Sequence, residues 1–327
     1  MGKTREIATT LKATLGGYKG SSIFTYHKIY SSEDKYFRDG MIIDIETLER
    51  QIRFLRDRYK IISLRSLIKM IKANKLIDRY VCITFDDGYS DNYRYAYPIL
   101  KKYSCPATIF LTTDPVDHGV PLWWDRIDGI IADTFSRDDF LSLTDRSPIA
   151  SFSRYKNRNS IVNAAVDHVN QLDKESRGGF WHEFDQWVSF CGIKEPVSPM
   201  LNWDMVREMS KNGIDFECHT RSHAFVDEMS LSDMENELIG SRDRIREMIN
   251  QPADILACPR GRIMNDEQIR FIQSNFLAVC TTNLGFVDKN SELYSLNRRD
   301  SRYLNYKGNF NKIKATLELS GVLDVLR

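Results

Sequence analysis

The sequence predicts an α/β protein built on a parallel β-sheet, open or closed into a barrel, that carries a helical insertion. Strand patterns and amphipathic helix patterns alternate near both ends of the 327-residue chain, which is characteristic of parallel sheets. The run VCITF at 81–85 is apolar almost throughout, as expected of a strand covered on both faces. The alternation stops between about residues 114 and 200. We therefore expect one domain over residues 1–327, with the helical insertion at about 114–200.

The first part of the sheet is predicted from apolar runs that are separated by helical periodicity. Strands are predicted at 21–26, 60–64, 81–85 and 107–111. A helix precedes the second strand, because apolar residues recur from Ile45 to Leu55 at spacings of three and four. Further helices are predicted at 66–76 and around Tyr97, where Pro98 either lies inside the helix or kinks it.

The insertion and the second part of the sheet follow. Helical patterns occupy 121–131, 161–172 and 178–188. The alternation then resumes with a helix that Gly213 ends, and with strands at 214–217, 255–259 and 277–282. Between these strands, Ser232 to Glu235 fits a capping box that opens a helix to about Ile249. A last helix is expected around Gln268 to Phe271.

The composition excludes several classes of protein. With 46 basic and 45 acidic residues the net charge is +1, so no bulk field attracts nucleic acid. The six cysteines form no CxxC pair, which favours reduced thiols over disulfides. Residues 1–17 have no apolar stretch of signal-peptide length, and no run approaches the ~20 apolar residues that span a membrane. We expect a cytoplasmic protein, with a peripheral membrane association left open.

Two adjacent acids, Asp86 and Asp87, follow the strand VCITF in the segment ITFDDGYSDNY. Neighbouring side chains at a strand end point in different directions, and like charges repel unless a cation compensates them. The pair therefore indicates two tasks at one place, such as binding a metal ion and moving a proton. A helix N-cap followed by an acid in the first turn is the alternative for the pair taken alone.

Two histidines, His219 and His223, follow a second predicted strand in the segment CHTRSH. If the segment turns helically, this spacing places both imidazoles on one face. Two imidazoles and a carboxylate form a three-ligand metal site with an open position. Such a spacing also arises by chance, so the prediction depends on its combination with the aspartate pair.

The two segments together resemble the polysaccharide deacetylase family, which carries the NodB homology domain and belongs to the carbohydrate esterases. The resemblance extends in the same order from FTYHKI through TFDDGY, LWWDRI, HTRSH and CPRG, over about residues 21–299. It implies a distorted (β/α) barrel with fewer strands than the eightfold version. The active site would then lie at the carboxyl ends of the strands.

The resemblance also implies roles for single residues. Asp86 matches the catalytic base, whereas Asp87, His219 and His223 match the ligands of one divalent ion, expected to be zinc. Thr220 matches a residue that braces the histidine loop by hydrogen bonding. The resemblance further implies that the backbone N–H of Arg260 donates to the oxyanion. Apart from the resemblance, Tyr89 is expected to line the cleft and Trp124 to form a sugar-stacking wall, with packing of the insertion onto the barrel as the alternative for Trp124.

The chain departs from the family pattern at two positions. Ala257 stands where many members have an arginine that pairs with the base, so Arg298 or Arg299 is expected to orient Asp86 instead. No histidine follows His223 to act as the general acid. Some branches of the family place that histidine near the N-terminus, in a motif that TYHKI resembles, and His27 is therefore the expected acid.

The expected activity is metal-dependent hydrolysis of the N-acetyl group of an amino sugar, in a glycan or a glycan precursor. Removal of another small acyl group, such as formyl, from a lipid- or nucleotide-linked amino sugar is an alternative that the motifs do not separate. A non-catalytic carbohydrate-binding protein on a degenerate esterase scaffold is the alternative from another class, because the usual arginine and late histidine are missing.

Overall fold

The computed structural model describes most of the chain. The described residues are 20–31, 42–75, 77–135, 144–145, 147–155, 157–197, 199–261 and 264–325. The polar N-terminal segment, on which part of the expected location rests, lies outside them. Among the described residues, no helix is both long enough and apolar enough to cross a membrane.

The predicted barrel is confirmed, and it is closed. The strands of the described part are β1 Ser22–Tyr26, β2 Lys28–Tyr30, β3 Ile42–Asp44, β4 Lys60–Ile61, β5 Tyr80–Phe85, β6 Ala107–Leu111, β7 Ile214–Cys218, β8 Ile255–Ala257, β9 Ala278–Leu284, β10 Leu296–Asp300, β11 Asn305–Tyr306 and β12 Asn309–Phe310. Seven of them pair in the order β1-β10-β9-β8-β7-β6-β5, and β5 pairs again with β1. Every one of these pairings is parallel. The carboxyl ends of the seven strands therefore meet at one rim.

Helices connect the strands as the periodicity predicts. Their bounds are Ile45–Arg58, Leu64–Lys72, Tyr97–Lys102, Thr113–His118, Trp123–Phe135, Arg158–Gln171, Lys174–Phe190, Trp203–Lys211, Leu231–Met234, Gly240–Ile249, Asp266–Asn275, Lys312–Leu319 and Val322–Val325. A π-helical turn, Asn92–Ala96, leads into Tyr97–Lys102. Pro98 thus lies inside a continuous helical run, two residues after the π-helical turn.

The predicted capping box is wrong, because the real one lies two residues earlier in the sequence. Ser230 is the N-cap, and its side chain accepts a hydrogen bond from the N–H of Asp233, whose carboxylate accepts one from the N–H of Ser230. The helix therefore begins at Leu231. Either register places a serine three residues before an acid, so the sequence pattern alone did not distinguish them.

The inserted helices bury an apolar cluster of their own. It is formed by the helices Trp123–Phe135, Arg158–Gln171 and Lys174–Phe190, and it includes Tyr89 from the loop after β5. The barrel wall is packed by other clusters. The insertion thus stands on the rim that carries the strand ends, although the division of the chain into one domain with an insertion stays a prediction.

Candidate active site

The two adjacent aspartates lie where β5 leaves the barrel. Asp86 is 3% exposed and Asp87 1% exposed. The N–H of Asp86 donates to the carbonyl of Tyr26 at 2.9 Å, which continues the pairing with β1. Asp87 then takes a φ of 76° and Gly88 a φ of 89°. This left-handed turn directs the two carboxylates to different partners.

Asp87 faces both histidines of the segment CHTRSH. Its Oδ1 lies 3.4 Å from Nε2 of His219 and 3.5 Å from Nε2 of His223. The two imidazole centroids are 5.0 Å apart. One donor atom from each of the three side chains lies within 4.8 Å of the others. The three expected ligands are therefore brought together.

The histidines converge without forming a helical turn, contrary to the expected geometry. The loop after β7 instead contains left-handed residues, with a φ of 67° at Thr220 and 63° at His223. Glu237 braces the loop: its carboxylate accepts hydrogen bonds from the N–H groups of Arg221 and Ser222, each at 2.9 Å. The Thr220 hydroxyl makes no hydrogen bond within the described part of the chain. In the described structure the hydrogen bonds that brace this loop therefore come from Glu237, whereas the Thr220 hydroxyl is buried.

His219 is oriented by a backbone group. Its Nδ1 lies 2.7 Å from the carbonyl oxygen of Ala257, at the end of β8. Donation from Nδ1 to this carbonyl leaves Nε2, the nitrogen that faces Asp87, available as a ligand atom. The carboxyl end of β8, where Ala257 stands in place of the arginine of many family members, therefore contributes a backbone carbonyl that orients His219.

The three side chains fit a divalent cation. Two imidazoles and one carboxylate form a donor set typical of catalytic zinc sites. The other carboxylate oxygen of Asp87, Oδ2, is buried and has no hydrogen-bond partner in the described structure, a costly state for an ionised group that a cation would relieve. The identity of the ion stays a prediction.

Burial and charge act in opposite directions on these groups. Burial alone would raise the pKa of Asp87, but the hydrogen bond from His219 and the charges of the imidazoles hold it well below its usual range. Burial lowers the pKa of His223 to about 3, so this imidazole is neutral at pH 7. Burial also acts to lower the pKa of His219, but Asp87 and Asp86 outweigh it and raise that pKa. A cation would compete with the proton on His219, because only the neutral imidazole binds metal.

Asp86 pairs with Arg298 and not with Arg299. Nη1 and Nη2 of Arg298 donate to Oδ1 and Oδ2 of Asp86 at 2.7 and 2.8 Å, while its Nε donates to the carbonyl of Thr281 at 2.9 Å. Arg299 is also buried, but it pairs with Glu318 and Asp324 on the other side of the strand. The guanidinium that is missing at Ala257 is therefore supplied from β10.

The charge of Arg298 keeps Asp86 ionised in a buried place. Burial would raise the pKa of Asp86, but Arg298, His219 and His27 together lower it below its usual value. His27 follows β1 directly, and its Nε2 lies 3.9 Å from Oδ2 of Asp86. An ionised carboxylate and an imidazole thus face each other beside the Asp87–histidine cluster.

Arg260 lies in a tight turn after β8. Its φ is 63° within the 3₁₀ turn Pro259–Gly261. The guanidinium lies over the ring of Phe225, 4.3 Å from its centroid, and donates to the carbonyl of Asn170 at 3.2 Å. The side chain therefore contacts an inserted helix, and the expected role of the backbone N–H stays a prediction.

The structure corrects the expectation that Tyr89 and Trp124 form the cleft wall. Tyr89 is fully buried and Trp124 is 5% exposed. The indole N–H of Trp124 donates to the Tyr89 hydroxyl at 2.8 Å, and that hydroxyl donates to Asp125 at 2.9 Å. The Trp124 ring lies edge-on to His223, with centroids 4.5 Å apart. Trp124 thus packs against the His223 imidazole from inside the protein, and the Tyr89 hydroxyl holds the Trp124 indole in place.

Two participants in the site were missed in the sequence. Lys28 pairs with Asp125 and lies 4.5 Å above the Tyr89 ring. Its position directly after His27 in TYHK was the available signal. Glu237 had no such signal, since it lies in the middle of an ordinary helix pattern and reaches the histidine loop only through the fold.

The chain belongs to the Polysaccharide deacetylase family, whose sequence model matches residues 73–275. Two curated relatives are similar to it. YxkH of Bacillus subtilis (strain 168), which carries a provisional polysaccharide deacetylase name, is 22% identical over 279 residues, covering 84% of this chain and 69% of that protein. The poly-beta-1,6-N-acetyl-D-glucosamine N-deacetylase of Staphylococcus aureus (strain MSSA476) is 42% identical over 69 residues, which are 21% of this chain and 24% of that protein.

Solved structures share the fold. The deacetylase PplD of Streptococcus pyogenes, in complex with acetate, superposes with a TM-score of 0.55 at 20% identity, over 86% of this chain and 92% of that one. A de-N-acetylase of Aggregatibacter actinomycetemcomitans gives a TM-score of 0.53 at 20% identity, over 91% and 99% of the two chains. At these identities the likeness is one of architecture, and it confirms the (β/α) barrel.

Proposed function

We propose that this protein is a hydrolase that removes the N-acetyl group from an amino sugar in a glycan or glycan precursor, with one divalent ion, zinc, as cofactor. The observation that carries the proposal is the arrangement of four side chains. Asp87, His219 and His223 form a three-ligand cluster, and Asp86 lies beside it, ionised and held by Arg298. Membership of the polysaccharide deacetylase family supports the same reaction class.

Hydrolysis of an amide requires activation of the carbonyl and the attacking water, and then protonation of the nitrogen that leaves. A divalent cation held by Asp87, His219 and His223 would polarise the acyl carbonyl and lower the pKa of a water molecule. Asp86 is suited to take the proton from the attacking water, because its carboxylate is ionised and Arg298 holds both of its oxygens in place. The same guanidinium limits rotation of the carboxylate, so the base is oriented before substrate arrives.

The amine must be protonated before it leaves. His27 is half-buried at the same rim and 3.9 Å from Asp86, and an imidazole is an effective acid near neutral pH. The backbone N–H of Arg260 is the proposed hydrogen-bond donor to the oxyanion. Thr220 contributes to the site through its left-handed backbone, which turns the loop between the two histidines.

The proposed substrate is an N-acetylated glucosamine oligomer or polymer. Support comes from the name of the Staphylococcus aureus relative, which specifies poly-beta-1,6-N-acetyl-D-glucosamine. Hydrolysis is tested by measuring acetate release from β-1,6- and β-1,4-linked N-acetylglucosamine pentamers by the zinc-loaded protein. The N-formyl analogues are measured in parallel, since a larger rate with formyl would identify a deformylase.

The deciding variant is Asp86→Asn. It should retain the metal but lose activity by roughly 10²–10⁴-fold, the usual contribution of a general base. Asp204→Asn is the matched control, because Asp204 is an exposed acid whose side chain is 89% accessible. Pentamer binding without acid release from the wild type would replace the hydrolase proposal by a carbohydrate-binding function.

The cytoplasm is the proposed location. Its support is the state of five cysteines, which are free thiols buried in the protein and mostly within the barrel wall: Cys82, Cys105, Cys218, Cys258 and Cys280. Buried thiols of this kind are typical of reducing compartments. Fractionation of the cells that produce the protein tests this proposal.

A further inference from the structure

A groove lies next to the loop 219–223 that carries the two histidines. It has a volume of about 530 Å³, within the range of pockets that bind small molecules. Its walls come from the segment 114–122, the helix Trp123–Phe135, the helix Lys174–Phe190 and the segment 195–196. Ser222, the residue before His223, also lines the groove. The groove therefore opens beside the metal-ligand cluster, without including it.

Two tryptophans line this groove. Trp123 and Trp181 are each partly exposed, and their ring centroids are 6.1 Å apart at an interplanar angle of 68°. Trp123 also contacts Trp124 edge-to-face at 5.1 Å, and Trp124 contacts His223. An aromatic path thus runs from the groove to a ligand histidine. Partly exposed indoles are large apolar surfaces with a polar edge, which suits the apolar face of a pyranose ring.

The rim of the groove is polar and held in place by ion pairs. Arg126 donates to Glu195 through Nε at 2.8 Å and pairs with Asp185 at 2.7 Å. Asp114 accepts from Nε of Arg221 at 2.9 Å, at the end nearest the histidine loop. The side chains of Asp185 and Glu195 remain 58% and 51% accessible. Donors and acceptors around an aromatic floor match a ligand with many hydroxyl groups and little net charge.

We infer that this groove is a saccharide subsite that binds a neutral pyranose unit of the substrate chain, next to the unit whose acyl group is removed. The inference rests on the proposed function for the identity of the chain, and it deepens that function by favouring an oligomeric substrate over a single sugar. The groove is built by the helical insertion, so the insertion acquires a role in selecting chain length. The rings of Trp123 and Trp181 would stack on the pyranose, and the charged side chains of the rim would form hydrogen bonds with its hydroxyl groups.

The test separates binding from hydrolysis. In the Asp86→Asn background, calorimetry measures the Kd of the β-1,6- and β-1,4-linked N-acetylglucosamine pentamers and of the monosaccharide. Trp181→Leu keeps apolar volume against Phe180 and Phe184, and Trp123→Leu keeps it against Trp124, while each variant removes a flat indole. Each should raise the Kd of a pentamer roughly two- to tenfold and leave that of the monosaccharide unchanged. In the otherwise wild-type enzyme, KM for the pentamer should rise by the same factor with kcat retained.

Phe190→Ala is the matched control, because Phe190 ends the same helix as Trp181 and is 85% exposed outside the groove. Unchanged pentamer Kd in both tryptophan variants, an equal loss for the monosaccharide, or no measurable binding of either pentamer would overturn the inference. Failure of the proposed function looks different: the wild type would release no acid, yet the pentamer would bind and Trp181→Leu would weaken it.

Discussion

Arg298 on β10 donates two parallel hydrogen bonds, of 2.7 and 2.8 Å, to the carboxylate of Asp86 at the end of β5. The two residues are 212 positions apart, and both are 3% exposed. Such a buried, bidentate pair is costly to break, because the remaining partner is left as an uncompensated charge.

Replacing Arg298 therefore has a predicted cost in both stability and activity. Arg298→Gln should lower the free energy of unfolding by about 3–5 kcal/mol, and Arg298→Lys should reduce kcat because an ammonium cannot hold both carboxylate oxygens. Urea titration and acetate release measure the two effects. Arg302→Gln, which removes an exposed ion pair with Asp300, should change stability by less than about 1 kcal/mol. Equal effects at both positions would contradict the assigned role of Arg298.

Loss of one imidazole should empty the metal site. Wild-type protein is expected to contain about one divalent ion per chain, and His219→Ala should lose most of it, since two ligands hold a cation poorly. Elemental analysis after dialysis measures this, and zinc added after chelation should restore the wild type only. His118→Ala changes an exposed histidine and serves as the control. A full metal content in His219→Ala would refute the ligand assignment.

His27 is predicted to act as a proton donor and not as a metal ligand. His27→Gln keeps a hydrogen-bonding side chain but cannot transfer a proton, so kcat should fall by roughly 10²–10⁴-fold while the metal content stays constant. Single-turnover acetate release and elemental analysis measure the two quantities. His182→Gln, at an exposed position of the insertion, should leave both unchanged. Unaltered turnover in His27→Gln would remove His27 from the mechanism.

Gly88 controls the turn that separates the two carboxylates. A Cβ at this position would approach Cδ1 of Leu111 to 2.4 Å, and its φ of +89° disfavours any side chain. Gly88→Ala should therefore cost roughly 2–4 kcal/mol of stability. Gly119→Ala has a similar positive φ but no atom within 4 Å of the new Cβ, so it should cost only about 1 kcal/mol. Thermal and urea unfolding of both variants would show whether the clash adds to the backbone strain.

Asp91 should make the stability depend on pH. Burial raises the pKa of Asp91 to about 8, against the opposing effects of the Ile29 N–H and Lys28. Its contribution is present below the unfolded pKa of about 4 and is lost as pH rises towards about 8. Relative to wild type, Asp91→Asn should gain stability between pH 5 and pH 8, as measured by urea unfolding at several pH values. Asp204→Asn is the exposed control, and a parallel pH profile for wild type and Asp91→Asn would contradict the prediction.

Local sequence patterns were sufficient to predict a parallel sheet and the polar side chains at its strand ends, and the family resemblance added that the sheet closes into a barrel. Alternation of strands and helices is a local pattern, and so is an acid or a histidine that follows an apolar strand. In a parallel barrel all strand ends share one rim, so Asp86, Asp87, His219 and His223 had to lie near one another. The family resemblance added an expected role for each of these four residues, which their spacing in the sequence did not specify.

The residues that surround these acids and histidines could be identified only from the folded structure. Arg298 and Arg299 are adjacent in β10, and side chains alternate between the two faces of a strand. Whichever of them reaches Asp86, the other must face away, and only the register of β10 selects Arg298. The burial of Tyr89 and Trp124 likewise depends on how the insertion packs against the rim. These outcomes follow from contacts between distant segments, and no local pattern records them.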